Sequence, residues 1–503
     1  MEFLSDVFVH EFAHIVSLKA YLPWSEGTTG FSIGGLVEDE EWLDRWGFQP
    51  RTRQNYDIGF DVLFSAHAPF WWAEGGAEYW SHRAGYNFWG TSRDAFLRMA
   101  WHEDRVLDID EWTTRIDKAG FDGERGYNQG YAFGLWLHQE YGEALMTRMT
   151  EISASRWHGS WASVVEKATG HTLDYLYQRW RDSLEERFGA QLATLKERGL
   201  VVGRDLSVTE PAWERAGKDW TELSVAAQEE AMDKGGAYHE FPVYSPDGRF
   251  LAWHARGLQV QMARPEQWGA LGGTYVDEED SKTLKSWDKA RYTNDWIHAF
   301  RVSFSPDSTR LVATGPEDWS SDFAMNQGFE LNMDGVNWPQ LLVGTLAVEG
   351  QELDVEWEPV PNTLRAVEAA WHPDGEMLAF SRYGDGTHEI WTIGQDGSDP
   401  VQRTSFGDGT QVQGIDFSPD GRHVLVSLFR NYQQDLWLLE WETGEWTRLT
   451  DSSQDETDPF FGPDGQVWFT SDSPGVYNVF SLELSSGKVT QHTELVGGAY
   501  GAN

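Results

Sequence analysis

Five copies of one turn motif in the second half of the chain constrain its fold more than any other sequence feature. Each copy has an aromatic residue, one variable residue, Pro-Asp and a small residue; the five are Tyr244–Gly248, Phe304–Ser308, Trp371–Gly375, Phe417–Gly421 and Phe461–Gly465. Proline fixes φ, aspartate bonds the nearby backbone and glycine accepts a positive φ, so each motif predicts a tight turn. A short apolar strand follows every turn, the first at Phe250–Trp253. This half of the chain is therefore predicted to be all β.

The spacing of these turns predicts a β-propeller over residues 238–503. The prolines are 60, 67, 46 and 44 residues apart, and the last three units add two further strands around a glycine turn. Four strands in about 45 residues are typical of a propeller blade. We expect about five or six blades, five of them visible and a sixth starting at 497–503. The two longer spacings predict insertions near 264–298 and 316–365, and a β-sandwich with recurring turns is the alternative fold.

The repeated Ser-Pro-Asp-Gly turns and the Trp-rich second strands resemble the propeller repeats of the TolB family. The resemblance covers residues 238–503. It implies a propeller that gates access to a site or binds a protein partner, in a protein exported to the periplasm or cell surface. The chain shows no basic, apolar leader, so we expect any signal peptide to lie outside it.

The first 200 residues have helical rather than β periodicity. Their apolar spacing predicts helices over residues 2–20, 69–83, 128–150 and 172–198. We therefore predict a multidomain protein: a mainly α-helical domain over 1–200, a linker over 201–237 and the all-β propeller.

Two histidines one helical turn apart form the strongest candidate metal site. His10 and His14 share a helix face, so both imidazoles can reach one Zn²⁺. Glu11 lies beside them, where it can take a proton from metal-bound water. The metzincin extension is absent, because Ser17 and Ala20 occupy the positions that need Gly and His.

Two carboxylates on the predicted helix 69–83 are candidates for the rest of the site. Glu74 and Glu78 are four residues apart, so one can bind the metal while the other holds the free N–H of a ligating imidazole. Together with the histidine motif, this segment resembles the gluzincin metallopeptidases. The resemblance implies that His10, His14 and Glu74 bind one Zn²⁺. It further implies that Glu11 is the general base and that Glu78 supports a ligating histidine.

Two departures from the gluzincin pattern keep other ligands open. The interval of 59 residues between His14 and Glu74 is longer than the family uses. Only nine residues precede His10, so we expect the family's upstream β-sheet to lie outside this chain, as if it were a fragment cut at both ends. The alternative ligands are Asp57, Asp61, His67 and His82.

A tyrosine provides a candidate oxyanion donor. Tyr127-Asn-Gln-Gly130 resembles the Tyr-x-x-Gly segment of gluzincin aminopeptidases, which implies that the Tyr127 hydroxyl stabilises the tetrahedral intermediate. Tyr131 is the alternative donor, and a tyrosine buried in a helical core is the structural alternative.

Charge and composition exclude several other functions. The chain has 39 Lys and Arg against 81 Asp and Glu, a net charge of -42, which argues against binding nucleic acid or an anionic membrane. It has no cysteine, which excludes disulfides, thiolate metal sites and cysteine catalysis. It also has no apolar run of about 18 residues that could span a membrane.

These observations together predict a zinc peptidase that acts on peptides or proteins. The alternatives are a non-catalytic envelope scaffold and a structural metal site closed by a fourth ligand such as His67.

Overall fold

The chain forms two compact units. The computed structural model describes residues 8–14, 31–36, 55–60, 69–109, 121–154, 160–201, 240–254, 258–262, 291–294, 301–316, 339–349, 352–431, 433–473, 475–499 and 501. The first unit comprises residues 1–200 with 496–498, and the second comprises 201–495 with 499–503.

The first unit is mainly helical. Its described elements are α1 (8–14), β1 (Phe31–Leu36), β2 (Asn55–Phe60), α2 (Phe70–Arg83), α3 (Thr91–His102), α4 (Phe121–Tyr141), α5 (Ala144–Ser153), α6 (Trp161–Thr169) and α7 (Leu173–Arg198). The two strands pair antiparallel. Helices α2 to α7 share one apolar core in which Trp71, Phe133 and Trp180 are almost fully buried. None of the helices in the described ranges is both long and apolar enough to cross a bilayer.

Two of the helices predicted from the sequence have the correct bounds, and a third does not. α2 and α7 match the predicted helices 69–83 and 172–198 to within a residue. The single helix predicted over 128–150 is wrong, because Gly142 adopts a φ of 86° and separates α4 from α5. α4 begins at Phe121, so Tyr127 lies inside a helix instead of preceding one. Of the predicted helix 2–20, only 8–14 falls in the described residues.

The described residues of the second unit form five four-stranded antiparallel sheets, and within each sheet the strands pair in chain order. The sheets are β3 (Glu240–Tyr244), β4 (Phe250–His254), β5 (Leu258–Met262) and β6 (Arg291–Asn294); β7 (Ser303–Phe304), β8 (Arg310–Pro316), β9 (Pro339–Glu349) and β10 (Glu352–Pro359); β11 (Ala366–Trp371), β12 (Met377–Gly384), β13 (Thr387–Gly394) and β14 (Val401–Gln402); β15 (Gln411–Phe417), β16 (His423–Arg430), β17 (Gln433–Glu440) and β18 (Glu445–Arg448); and β19 (Glu456–Phe461), β20 (Val467–Ser471), β21 (Asn478–Glu483) and β22 (Lys488–Gln491). Successive four-stranded meanders are the blades of a β-propeller, so this part of the fold prediction is confirmed over the described residues.

Apolar side chains pack between neighbouring blades. Val312 and Leu341 of the second blade form one buried cluster with Trp371 and Phe380 of the third. Each such buried side chain contributes about 1.5–3 kcal/mol relative to an exposed one. The apolar strand residues therefore stabilise the interfaces between blades as well as the sheets themselves.

The serine of the turn motif holds three of the turns closed. Ser245 Oγ accepts the backbone N–H of Phe250 at 2.9 Å and donates to Asp247 Oδ1 at 2.8 Å. Ser305 and Ser418 accept the N–H of the residue five positions further on in the same way, both at 2.9 Å. These bonds span five residues or fewer, so the local sequence is sufficient to specify each of these turns.

The two predicted insertions contain strands of the blades. Residues 339–349 and 352–359 form β9 and β10, inside the interval 316–365 near which the sequence predicts an insertion. β6 similarly lies inside the interval 264–298. The prediction relied on the longer spacings between the turn motifs, which locate added residues but do not show which of them form strands.

One backbone bridge joins the residues on either side of the five sheets. Val201 N–H donates to Glu494 O at 3.1 Å, and Glu494 N–H donates back to Val201 O at 2.9 Å. In the region where the sequence predicts the start of a sixth blade, the described residues 497–499 and 501 form no strand.

A buried carboxyl group in the fifth blade predicts a pH-dependent stability for the propeller. Glu456 is 4% exposed, and its Oε2 has no hydrogen-bond partner among the described residues, although Ser452 donates to Oε1 at 2.5 Å. Burial, with the nearby charges of Asp435 and Asp472, raises the pKa of Glu456 to about 7. The group is therefore buried in a site that favours its neutral form.

We expect Glu456→Gln to remove this pH dependence. The folded-state pKa of about 7 lies above the ordinary value of 4.5, so the stabilisation is complete below about pH 4.5 and is lost as the pH rises through 7. The wild type should lose about 2–3 kcal/mol of unfolding free energy between about pH 5 and pH 8 relative to the variant. Urea unfolding followed by tryptophan fluorescence measures this difference. The control is Glu445→Gln on the exposed β18, and an equal pH response in the Glu456 variant would contradict the assignment.

Candidate metal centre

Three side chains from α1 and α2 converge on one point. His14 Nε2 lies 3.1 Å from His10 Nε2 and 3.1 Å from Glu74 Oε2, and His10 Nε2 lies 3.5 Å from Glu74 Oε2. The three atoms thus form a nearly equilateral triangle. Among the described residues, this is the group of histidines and carboxylates arranged to hold a metal ion.

The dimensions of this triangle fit zinc. A tetrahedral Zn²⁺ with bonds of about 2.0–2.1 Å needs ligand atoms about 3.3–3.4 Å apart. Hydrogen bonds alone satisfy the group poorly, because two imidazole N–H groups that both donate to Glu74 Oε2 would bring their protons together. A cation at the centre satisfies all three lone pairs at once. The residues present therefore fit the implied zinc ion, and their role as ligands remains a prediction.

The electrostatics favour an ionised Glu74. Burial by itself would raise the pKa of this carboxyl, but hydrogen bonds from His10, His14 and Tyr127 lower the pKa to about 2. The pKa of His10 is raised, because the carboxylates of Glu74, Glu78 and Glu11 outweigh the opposing effect of burial. The group therefore concentrates negative charge at two imidazoles, as a site for a divalent cation requires.

Glu78 lies behind His10, on the side opposite Glu74. Its Oε1 is 3.5 Å from His10 Nδ1. Its Oε2 accepts a bond from Arg93 Nη2 at 2.9 Å and a second from Asn87 Nδ2. The residue is 8% exposed. Since one nitrogen of His10 faces Glu74 and the other faces Glu78, the two carboxylates together fix the direction of the ring.

Tyr127 lies beside the histidine pair. Its ring centroid is 6.0 Å from that of His10 and makes an edge contact with Phe70 at 5.5 Å. Its hydroxyl hydrogen bonds to Glu74. Tyr131, the alternative donor, is fully buried with its ring against Trp89. Tyr127 thus contacts two residues of the triangle, His10 and Glu74.

Two glycines bring α2 and α4 into backbone contact next to these residues. A Cβ added to Gly130 would lie 2.9 Å from Gly75 Cα and 2.9 Å from Trp71 O, and a Cβ added to Gly75 would overlap the backbone of Gly130. Gly75 follows Glu74, and Gly130 lies one helical turn after Tyr127. The close crossing therefore explains why glycine follows Glu74 and ends the Tyr-x-x-Gly segment.

The remaining predicted residues take other positions. Glu11 is exposed on α1, and its charge contributes to the raised pKa of His10. His82 Nδ1 lies 3.0 Å from Asn87 O, and His82 is absent from the triangle. Asp61 and His67 lie outside the described residues, as does the side chain of Asp57.

The sequence did not indicate three residues that support the site: Asn87, Arg93 and Asn128. Arg93 Nη1 donates to Asn128 Oδ1 at 2.9 Å, while its other nitrogen binds Glu78. Asn128 is adjacent to the predicted oxyanion donor and could have been considered with it. Nothing in the spacing of Asn87 or Arg93 identifies them, because their contacts depend on how α2, α3 and α4 pack.

Comparisons with known proteins give partial similarities. No protein-family model matches the chain. The chain is 28% identical over 137 residues to uncharacterized protein Atu1656 of Agrobacterium fabrum (strain C58 / ATCC 33970), a match that covers 25% of this chain. It spans 46%, less than half, of the length of that relative.

Solved structures that are similar to part of the chain include two of TolB and one of a peptidase. A structure assigned to TolB from Agrobacterium tumefaciens is 19% identical with a TM-score of 0.35, covering 52% of this chain and 84% of that one. TolB from Acinetobacter baumannii is 14% identical with a TM-score of 0.32, covering 54% and 57%. A puromycin-hydrolyzing peptidase of Mycobacterium tuberculosis is 15% identical with a TM-score of 0.34, covering 53% and 39%.

Proposed function

We propose that the protein is a zinc-dependent peptidase of gluzincin type, joined to a TolB-like propeller. The observation that carries this proposal is the triangle of His10 Nε2, His14 Nε2 and Glu74 Oε2, with separations of 3.1–3.5 Å. Two imidazoles and one carboxylate are the donor set of many catalytic zinc sites, which keep one position open for substrate. Among the described residues the group consists of these three side chains; His67, the candidate fourth ligand of a structural site, lies outside the described residues.

The chain's own residues supply the acid, base and hydrogen-bond chemistry. When bound, zinc would provide Lewis acidity, which activates water and polarises a carbonyl group. Glu11, exposed beside His10, accepts the proton of the attacking water and passes it to the leaving amine. The hydroxyl of Tyr127, next to the candidate ligands, donates to the oxygen on which negative charge develops.

The second unit has a separate role in this proposal. Its propeller gates access for a peptide or protein substrate, or binds a protein partner. By its resemblance to the TolB repeats, the protein acts after export, in the periplasm or at the cell surface. The large negative charge of -42 disfavours nucleic acid as a partner.

Zinc binding and peptide cleavage test this proposal together. The full chain is stripped of metal, titrated with Zn²⁺ and incubated with a peptide library analysed by mass spectrometry. We expect one zinc per chain and cleavage that depends on it, with both lost in His14→Ala and both retained in the control His102→Ala, an exposed histidine at the end of α3. A wild type that binds no zinc would overturn the proposal. Zinc bound without cleavage of any peptide would favour the scaffold instead.

A further inference from the structure

An arginine connects three helices behind the histidine pair. Arg93 on α3 donates from Nη2 to Glu78 Oε2 on α2 and from Nη1 to Asn128 Oδ1 on α4, both at 2.9 Å. Its guanidinium carbon lies 5.3 Å from the ring centroid of Tyr131. One planar cation is thus held by a carboxylate, an amide and an aromatic face.

The contact with Glu78 fixes how that carboxylate divides its two oxygens. The side chain is only 11% exposed, so its charge needs protein partners. Arg93 and Asn87 both bind Oε2, which leaves Oε1 to face His10 Nδ1 at 3.5 Å. Without the arginine, the carboxylate could rotate and the imidazole of His10 would lose its fixed direction.

The contact with Asn128 extends the same control to the predicted oxyanion donor. Asn128 is adjacent to Tyr127 on α4, close to the point where Gly130 crosses α2. The bond from Arg93 therefore restrains the rotation of this part of α4 about the crossing. The planar guanidinium directs two separate N–H groups at Glu78 and Asn128 in a fixed geometry, whereas a lysine ammonium is a flexible point charge that does not fix the relative positions of its two partners.

From these contacts we propose that Arg93 is a positioning residue, which sets the directions of His10 and Tyr127 through Glu78 and Asn128 without touching metal or substrate. This inference rests on the proposed zinc peptidase function. A positioning role can be distinguished from a purely structural one, because a structural ion pair would change the stability of the unit but leave its affinity for zinc unchanged.

The test compares Arg93→Met and Arg93→Lys with a matched control. We expect Arg93→Met to weaken zinc binding about 10- to 100-fold, measured by competition with a fluorescent chelator, and to alter the visible spectrum of the Co²⁺-loaded protein. The value of kcat should fall while KM stays unchanged. Compared with Arg93→Met, the Arg93→Lys variant should recover more of the wild-type thermal stability than of the wild-type zinc affinity. The control is Arg187→Met. Arg187 is an exposed residue of α7 that pairs with Asp94 of α3, the helix that carries Arg93. This variant should keep the wild-type affinity for zinc.

Two results would overturn this inference while leaving the proposed function intact. The first is a folded Arg93→Met variant with wild-type zinc affinity and Co²⁺ spectrum. The second, decisive if Arg93→Met does not fold, is an Arg93→Lys variant with wild-type affinity, spectrum and kcat. Failure of the wild type to bind zinc would instead reject the proposed function itself.

Discussion

Replacing Glu11 by glutamine is expected to slow peptide hydrolysis by about 100- to 10,000-fold while leaving one zinc ion bound per chain. Glutamine keeps the size of the side chain but cannot accept the proton of the attacking water. Because Glu11 is exposed on α1, the substitution should change the stability of the unit little. The loss should therefore appear in kcat, with KM nearly constant.

The control for this experiment is Glu186→Gln, an exposed carboxylate on α7 in the same unit. Metal content and steady-state kinetics are measured on both variants. Wild-type activity in Glu11→Gln would show that hydrolysis does not use this carboxylate. Loss of zinc from the same variant would assign Glu11 to binding instead of proton transfer.

We expect Gly75→Ala to disrupt the candidate site, whereas Gly76→Ala should not. A Cβ on Gly75 would overlap the backbone of Gly130, with the carbonyl oxygen only 2.7 Å away. Backbone atoms cannot rotate aside as a side chain can, so α2 and α4 must separate. Overpacking of this kind costs about 1–3 kcal/mol. The separation would also move Glu74, one residue away, relative to the histidines of α1, so zinc affinity should fall with stability.

Gly76 is a matched control for this prediction. It is the next residue of the same helix, and a Cβ there meets nothing within 4 Å. Alanine has the higher helix propensity by about 1 kcal/mol, so Gly76→Ala should be neutral or slightly stabilising. Urea unfolding and zinc titration of both variants are the measurements. Equal stability and equal zinc affinity for the two would mean that the close helix crossing is not needed.

The turns of the propeller could be predicted because their chemistry is local. The side chains of Ser245 and Asp247 bond to partners at most five residues away, so the motif itself contains the information for this turn. The break between α4 and α5 was missed because Gly142 interrupts an apolar spacing that otherwise continues. β9 was missed because the longer spacing between turn motifs locates added residues without showing which of them form strands.

Some residues of the candidate site could be predicted from the sequence, and others could not. The spacing of His10 and His14 follows from helix geometry, and the structure brings their Nε2 atoms to 3.1 Å. The preference for Glu74 over His82 came from a family resemblance, since no local rule predicts contact across 60 residues. Arg93 could not be predicted, because its contacts exist only once three helices have packed.

The turn serines also bear on how the second unit is made. Ser245, Ser305 and Ser418 each close a loop of five residues, and every strand pairs with its neighbour along the chain. Closing so short a loop costs little chain entropy, and hairpins form on the microsecond scale. We therefore expect each blade to assemble soon after its own segment leaves the ribosome, well before synthesis of the next segment is complete.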